Sequence, residues 1–540
     1  MDVTKRQQLE NNDPELVSVK IGPNDGGGDW GRLGALIGRN THVRKLVFAN
    51  IPMDDSDNDL TQLLRGISSN QEICFYRCGL YDGEILFSVL IPLFKSSNFR
   101  CLDIEQCVLG HDNIRSLASA LSEFDSLKEF RLCKCPTDQD DGARDLIQAL
   151  YGHYDLEKLS LKSGYEFKSM RMNSFAALAT ILQRPGSELA VLDVSYIDTD
   201  DEAVILATGL TGNSTLQELD LSESHGITEA GWRAILSALQ SPSCRLEKLS
   251  LGRNLFINDD AALSLAQTLT INMHIMSLDL SSCCSITAVG WRYLFEFLQS
   301  PNCVLEVLHL RDNEIINEAV IYLASGLVGN NRLRELDLSD NLCAASIGWE
   351  AFSAVLRSPN SALEKLDLRL NTINDETAIS LASSLANNSK LQELLLEDSD
   401  DDSDDGVSHI TASGWAAFSR VLCNTSSIMD THCSNHTLQR LTDADDDDVR
   451  LPEDVRSLLQ INQENSKRQA ARLKIITTHF PEGFVQPFIS MDLNVLPHAI
   501  AWMGRYDGAA NEVNEHFYGF LRSMPLLFDV EVHKTNHEGD

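Results

Sequence analysis

The sequence predicts an α/β solenoid of about 15 stacked strand–helix units, closed at its C-terminal end by a helical cap. The main observation is a strand pattern of leucines, Leu-x-x-Leu-x-Leu, that returns about every 28 residues between Leu16 and Leu441. Helix-like apolar spacing follows the strands, and tryptophans recur at twice the repeat length. A molecule built in this way has a long exposed sheet instead of a catalytic cleft, so the pattern favours a function in binding.

The strands come first in each unit. Their clearest copies begin at Leu216, Leu246, Leu305, Leu333 and Leu363. Weaker copies begin at Leu16, Val43, Asn70, Phe99, Leu127, Leu156, Leu189, Ile275, Leu391 and Leu438. The leucines point inward and the residues between them point outward, because successive side chains of a strand alternate.

A small polar residue stands two places after the last apolar residue of the strand. It is a cysteine at Cys78, Cys107, Cys135 and Cys283, and an asparagine at Asn24, Asn254, Asn313, Asn341 and Asn371. Such a side chain can bond the backbone where the strand turns away. The 13 cysteines of the chain form no zinc-type pairs. We therefore expect reduced, structural thiols in a reducing compartment, the cytoplasm or alternatively the nucleus.

The return segments predict helices. Around Leu206, Leu265 and Leu381, apolar residues recur at i, i+3 and i+7, which is one helical face. This spacing indicates strand–helix units with parallel strands and with the helices outside them.

Large and small residues alternate along the row of helices. Trp232, Trp291 and Trp349 are spaced by 59 and 58 residues, and each follows a glycine. Phe175 and Trp415 continue the series, and the helices between them carry Ala203, Ala262, Val320 and Ala378 at the equivalent place. Alternation of this kind predicts that neighbouring units interdigitate, with the indoles in the core.

These features resemble the ribonuclease-inhibitor-like class of leucine-rich repeat proteins over about residues 16 to 445. The resemblance implies an intracellular horseshoe with parallel strands on its concave face and helices on its convex face. The sequence departs from ribonuclease inhibitor in having fewer cysteines, in its Gly-Trp series and in its acidic insertions. The fold and a general binding role therefore carry over from the class, and the ribonuclease target does not.

We expect two domains, a leucine-rich repeat horseshoe over residues 1–449 and a helical C-terminal cap over 450–540. The repeat stops after Pro452, and residues 453–479 have the apolar spacing of one long helix. Further helices are expected at about 495–502 and 509–522. A basic run in the long helix (Lys467, Arg468, Arg472 and Lys474) is available to contact the acidic loops.

The chain is strongly acidic, with a formal net charge of −35 over 540 residues. Two aspartate-rich insertions, at 398–406 and 443–448, follow strands at equivalent points and predict exposed loops on one rim. Much of the excess negative charge lies elsewhere in the chain. Such a surface repels nucleic acid and anionic membranes, and no apolar stretch approaches the roughly 20 residues of a membrane helix. The charge therefore favours a basic protein partner.

The candidate partner-binding residues stand in two outward-facing columns of the concave face. They are Asp193, Asp220, Asp279, His309, Arg311, Asp337, Asp367, Arg369 and Glu397. An acidic strip interrupted by two arginines would complement a basic protein, although aspartate and serine are also common at such positions without any partner. Each residue taken singly is better explained by that second interpretation, whereas the face as a whole favours binding.

The sequence predicts no enzyme, cofactor or metal site, because it contains no G-x-x-x-x-G-K, H-E-x-x-H or G-x-S-x-G motif. Asp401, Ser403, Asp405 and Gly406 match half of a calcium-binding loop, but its last ligand position would be Ala412. Ser399, before three aspartates, is a candidate phosphorylation site.

The leading prediction is a non-enzymatic intracellular interaction scaffold. The alternatives are a GTPase-activating regulator similar to Ran GTPase-activating protein and an inhibitor of a basic ribonuclease.

Overall fold

A computed structural model describes residues 3–479, apart from 24, 26–28, 52–58, 68–69, 81–82, 96–98, 110, 136–139, 163–171, 342–345, 372, 397–409 and 443–450. The chain divides into two compact units. Unit 1 comprises Met1–Ile315 with Ser325–Asp337, and unit 2 comprises Ile316–Ala324 with Leu338–Asp540.

The strands are short and begin where the leucine pattern places them. They are β1 (Ser18–Ile21), β2 (Lys45–Ala49), β3 (Glu72–Tyr76), β4 (Gly79–Leu80), β5 (Cys101–Glu105), β6 (Val108–Leu109), β7 (Glu129–Cys133), β8 (Lys158–Lys162), β9 (Val191–Ser195), β10 (Glu218–Asp220), β11 (Lys248–Ser250), β12 (Ser277–Asp279), β13 (Val307–His309), β14 (Glu335–Asp337), β15 (Lys365–Asp367) and β16 (Glu393–Leu395).

A helix follows almost every strand of the main sheet. The helices are α1 (Val3–Glu10), α2 (Trp30–Arg39), α3 (Asp59–Arg65), α4 (Gly83–Phe94), α5 (His111–Leu121), α6 (Asp140–Ala149), α7 (Met172–Leu182), α8 (Asp200–Leu210), α9 (Glu229–Leu239), α10 (Asp259–Ile271), α11 (Ala288–Phe297), α12 (Asn317–Leu327), α13 (Ser346–Arg357), α14 (Asp375–Ser384), α15 (Ala412–Leu422), α16 (Ile428–His432), α17 (Glu453–Glu464) and α18 (Lys467–His479).

In unit 1 twelve strands lie side by side in the order β1-β2-β3-β5-β7-β8-β9-β10-β11-β12-β13-β14, and β4 pairs with β6 in a small second sheet. The pairings between successive strands are parallel. In unit 2, β15 pairs in parallel with β16, and Arg440 extends this pairing by one bridge to Glu393. These elements confirm the predicted leucine-rich repeat solenoid, including the weak last copy that begins at Leu438.

The indole prediction is confirmed for three tryptophans. Trp232, Trp291 and Trp349 are at most 1% exposed, as are the small residues of the intervening helices, and Phe175 is fully buried. Trp415, the last of the series, is only half-buried. Large and small buried side chains therefore alternate from helix to helix, which is compatible with close packing.

The small polar residue after each strand bonds the backbone, as predicted. Asn254 Nδ2 donates to Leu221 O of the preceding strand at 3.1 Å and to Leu251 O at 2.7 Å. Cys283 Sγ likewise donates a hydrogen bond to Leu251 O, at 3.3 Å. Asn24 lies outside the described residues.

The prediction of one long helix over 453–479 is wrong, because Asn465 adopts an extended conformation (φ −128°, ψ 150°) between α17 and α18. Ser466 then begins α18: its hydroxyl donates to Gln469 Oε1 at 2.7 Å. The polar pair Asn465-Ser466 therefore ends α17 and begins α18. The helices expected at 495–502 and 509–522 lie outside the described residues, and the domain boundary near 450 stays a prediction.

Lys474 does not belong to an exposed basic run. Its side chain is fully buried, and Nζ donates to Leu422 O at 2.8 Å and to Asn435 O at 3.2 Å. The main-chain carbonyl at the end of α15 thus holds the ammonium, which suits the negative end of a helix dipole. None of the helices that the structure describes is long and apolar enough to cross a bilayer.

Candidate protein-binding surface

The outward side chains of the parallel strands form the strand face, which the sequence predicts as the binding surface. In unit 1 the strand pairing places Asp193 beside Asp220, Ser250 beside Asp279, and His309 beside Asp337. These outward residues therefore stand side by side in a column, as the sequence predicts. A parallel sheet without register shifts puts equivalent positions of successive repeats next to each other on one face.

Asp193 and Asp220 share one cation. Lys162 Nζ lies 3.1 Å from Asp193 Oδ2 and 3.0 Å from Asp220 Oδ2. Asp193 also accepts a hydrogen bond from Ser160 Oγ at 2.9 Å, and Asp220 accepts bonds from the Ser222 hydroxyl and backbone N–H at 2.5 and 2.9 Å. The two carboxylates are thus held in place by donors from β8 and from the residue Ser222 just after β10.

The two carboxylates differ electrostatically. Burial, followed by the negative charge of Asp220, raises the pKa of Asp193. Burial also acts to raise the pKa of Asp220, but the Ser222 hydrogen bonds and the Lys162 charge outweigh it, so the pKa of Asp220 is lowered. Burial alone acts to lower the pKa of Lys162, yet the two aspartates raise it. As the pH falls, Asp220 therefore stays ionised longer than Asp193 does.

Asp279 is held by serines. Its Oδ1 accepts bonds from the Ser281 backbone N–H at 2.8 Å and from the Ser281 hydroxyl at 2.6 Å, and Ser250 Oγ donates to Oδ2 at 3.3 Å. Gly252 lies beside it, and a Cβ added there would come within 3.4 Å of Asp279 Oδ2. Hydrogen bonds from neutral serines fix the carboxylate without cancelling its charge.

His309 and Arg311 continue the face towards the end of unit 1. His309 Nε2 lies 3.8 Å from Glu335 Oε1, and Arg311 is exposed. Asp337 is partly exposed on β14. The face here carries both signs of charge, as the sequence predicted.

In unit 2, Asp367 and Arg369 form a tight ion pair. Asp367 is only 4% exposed, and Arg369 donates to its carboxylate from Nε at 3.0 and 3.1 Å and from Nη2 at 2.6 Å. Two parallel donors on one carboxylate fix both side chains. Asp367 is thus a buried anchor for Arg369. Glu397 and both aspartate-rich insertions, with their candidate calcium and phosphorylation positions, lie outside the described residues.

The strand face of unit 1 extends further towards the N-terminus than the predicted columns. Arg131 Nη1 lies 3.5 Å from Asp103 Oδ2, on strands β7 and β5. Burial, the first of several causes, raises the pKa of Asp103. The weak leucine patterns at these repeats hide the column, but counting outward positions from Phe99 and Leu127 would have found both residues.

A second feature missed by the sequence is a row of residues with positive φ directly after the strands. It includes Tyr196 (φ 63°), Glu223 (φ 60°) and Arg253 (φ 57°). The Tyr196 hydroxyl donates to the Glu223 carboxylate, and Arg253 Nη1 lies 3.4 Å from Glu223 Oε1. Leu255 and Phe256 follow in the same loop and are about half exposed. Aromatic and apolar side chains of this kind are common in protein interfaces.

Comparison with known proteins gives the family. A family model described as Leucine Rich repeat matches residues 272–294, 302–324 and 360–382. Ribonuclease inhibitor from Sus scrofa is 30% identical over 353 residues, which covers 60% of this chain and 76% of that protein. The chain belongs to the ribonuclease-inhibitor-like family of leucine-rich repeat proteins. Ribonuclease inhibitor from Mus musculus is 27% identical over 274 residues, covering 50% of this chain and 58% of the other.

Other members of this leucine-rich repeat group are much longer. NACHT, LRR and PYD domains-containing protein 14 from Mus musculus is 27% identical over 329 residues, or 59% of this chain, but the chain spans only about a third (32%) of that relative. A chain in the crystal structure of the yeast Rad7 and Elc1 complex aligns with a TM-score of 0.40 and 15% identity, over 71% of this chain and 87% of that one. That likeness is too weak to bear on function.

Proposed function

We propose that this leucine-rich repeat protein is a non-enzymatic, cytoplasmic interaction scaffold that binds a basic protein through its strand face and its acidic insertions. The observation that supports the proposal most is the column of carboxylates on the strand face of unit 1. Asp193, Asp220 and Asp279 are fixed by hydrogen bonds from serines of their own repeat or of the neighbouring strand, while remaining part of an outward face. Side chains that are already ordered lose little entropy on binding.

Family membership adds to this support. Ribonuclease inhibitor, which is similar over most of its own length, is by its name a protein that acts on another protein. The cysteines fit a reducing compartment, because buried thiols such as Cys107 donate to main-chain carbonyls of the neighbouring strand. The net charge of −35 favours a partner of opposite sign.

The experiment is capture of partners from cytosol by the immobilised full-length chain, with Asp279→Lys as the test variant. We expect this charge reversal to reduce recovery of basic partners by about tenfold or more, since a reversed charge in an interface costs several kcal/mol. Asp260→Lys is the matched control, because Asp260 is an exposed aspartate of the α10 first turn, away from the strand face. Equal loss with both variants would show that the strand face is not the binding surface.

The GTPase-activating alternative is tested separately. We expect GTP hydrolysis by a panel of small GTPases to proceed at the same rate with and without this protein. Acceleration of any one GTPase would contradict the non-enzymatic proposal, whichever partners are captured.

A further inference from the structure

Lys162 crosses a neighbouring strand to reach its partners. It lies on β8, whereas Asp220 lies on β10, two strands away and 58 residues further along the chain. Its methylene stem therefore passes over β9, where Ser195 is in register with Lys162 and faces the same side. The ammonium at the end of this stem is the cation that the two carboxylates share.

Ser195 is left without a hydrogen-bond partner beneath this stem. It stands at an outward position of the strand, yet it is only 4% exposed. Among the described residues, neither its hydroxyl nor Asp193 Oδ1 has a hydrogen-bond partner, although both atoms are buried. Buried hydroxyl and carboxylate oxygens that make no hydrogen bond are costly, so the arrangement around Lys162 leaves hydrogen-bonding capacity unused.

The direction of approach explains the unused capacity. Lys162 extends along the sheet from β8 to β10, and its Nζ contacts only the Oδ2 atoms of Asp193 and Asp220. A lysine that entered perpendicular to the sheet would bring an ammonium with three donors down between the two carboxylates. Two donors would bond the carboxylates, and the third would be available to the Ser195 hydroxyl.

Lys162 is also easy to displace. A third of its side chain is exposed, at 34%, and its stem is flexible. Water screens an ammonium of this exposure, so another cation can displace Lys162. Tyr196 follows Ser195 in the chain, and its hydroxyl donates to the Glu223 carboxylate.

We propose that Lys162 occupies, in the free protein, the place of a lysine from the basic partner, which on binding displaces it from between Asp193 and Asp220. This inference rests on the proposed function, because it names the partner group that the strand face receives. A compact ammonium fits better than a guanidinium, since the shared cation already lies 3.0–3.1 Å from both carboxylates. Lys162 thereby competes with the partner and lowers its affinity.

The test uses the full-length chain and a fluorescent oligolysine peptide, with the dissociation constant measured by fluorescence anisotropy. In Lys162→Met the competing ammonium is gone and the stem remains. We expect oligolysine to bind this variant about fivefold or more tightly than the unchanged protein. Lys158→Met is the matched control, because Lys158 lies four residues earlier on the same face of β8 and its loss changes the net charge equally. We expect less than about twofold from the control.

A further variant identifies the place of binding. In Lys162→Met combined with Asp220→Asn we expect the gain in affinity to disappear, because one of the two receiving carboxylates is lost. Thermal unfolding of every variant is measured in parallel, and Lys162→Gln replaces Lys162→Met if the latter fails to fold. Equal affinities of the Lys162 and Lys158 variants would overturn this inference while leaving the proposed function standing. Failure of every form of the protein to bind oligolysine would count against both.

Discussion

The glycines before Trp232, Trp291 and Trp415 are explained by a carboxylate of the preceding helix. Asp259 Oδ1 accepts hydrogen bonds from Thr287 N at 2.8 Å and Gly290 N at 3.1 Å, and its Oδ2 accepts one from the Thr287 hydroxyl at 2.6 Å. A Cβ on Gly290 would lie 2.4 Å from Asp259 Oδ1. The same arrangement links Asp200 to Gly231 in unit 1, and Asp375 to Gly414 in unit 2. Each aspartate thus caps the next helix of the series.

Substitution of Gly290 by alanine should destabilise the protein, although alanine normally stabilises a helix interior by about 1 kcal/mol relative to glycine. The added methyl group would push Asp259 away from three donors, each worth about 1 kcal/mol. We expect a net loss of about 2 kcal/mol in the free energy of local opening of α11, measured by native-state hydrogen exchange.

Gly329→Ala is the control for this substitution, because no atom lies within 4 Å of a Cβ added at Gly329. Its effect should stay within about 0.5 kcal/mol, as for surface changes in general. A Gly290→Ala variant that opens no more readily than the Gly329→Ala variant would show that the aspartate clamp is not what requires glycine.

At the level of elements, α18 docks through buried cationic and imidazole groups. Lys474 reaches the end of α15, and His479 Nε2 lies 2.7 Å from Thr431 Oγ1 on α16. Burial lowers the pKa of Lys474 to about 7 and, together with the Lys474 charge, that of His436 to about 4. Cys423 and His432 are the other titratable groups that face this cluster.

Docking of α18 should therefore strengthen as the pH rises. For His436 the unfolded chain holds an extra proton between about pH 4 and its ordinary pKa of 6.5, and for Lys474 between about pH 7 and its ordinary pKa of 10.5. Stability increases with pH wherever the unfolded state binds more protons. Both groups thus favour docking at high pH and weaken it as the pH falls.

The rate of alkylation of Cys423 reports this docking, because its sulfur is buried and lies 3.4 Å from Thr478 Oγ1 of α18. Peptide mapping gives its rate relative to the exposed Cys433, which corrects for the pH dependence of thiol reactivity. We expect the relative rate to fall as the pH rises from about 5 to about 9, and to fall less in Lys474→Gln. A relative rate that does not change with pH would contradict the burial of the Lys474 ammonium between α18 and the end of α15.

At the scale of the whole molecule, the sequence predicts what the repeat period controls. The repeat spacing is enough to predict the strand positions, the inward leucines and the columns of the strand face. The placement of Asp193 beside Asp220 also follows from that spacing alone. The sequence could not predict features in which a side chain contacts residues outside its own repeat. Lys162 spans three strands, and Lys474 is fully buried although a lysine at this place reads as part of an exposed basic run. Asp367 also differs from expectation, because the adjacent Arg369 covers it.

The net charge of −35 gives salt two opposite effects on the molecule. Raising ionic strength from about 0.01 M to about 0.1 M shortens the screening length from about 30 Å to about 10 Å. Self-repulsion of the acidic chain then weakens, so the thermal unfolding midpoint should rise. Attraction of a basic partner weakens for the same reason, so captured proteins should elute over the same range. Differential scanning fluorimetry and salt elution of the immobilised chain measure the two effects side by side. Partners retained equally at both ionic strengths, while the unfolding midpoint rises, would mean that contacts other than charge hold them to the strand face.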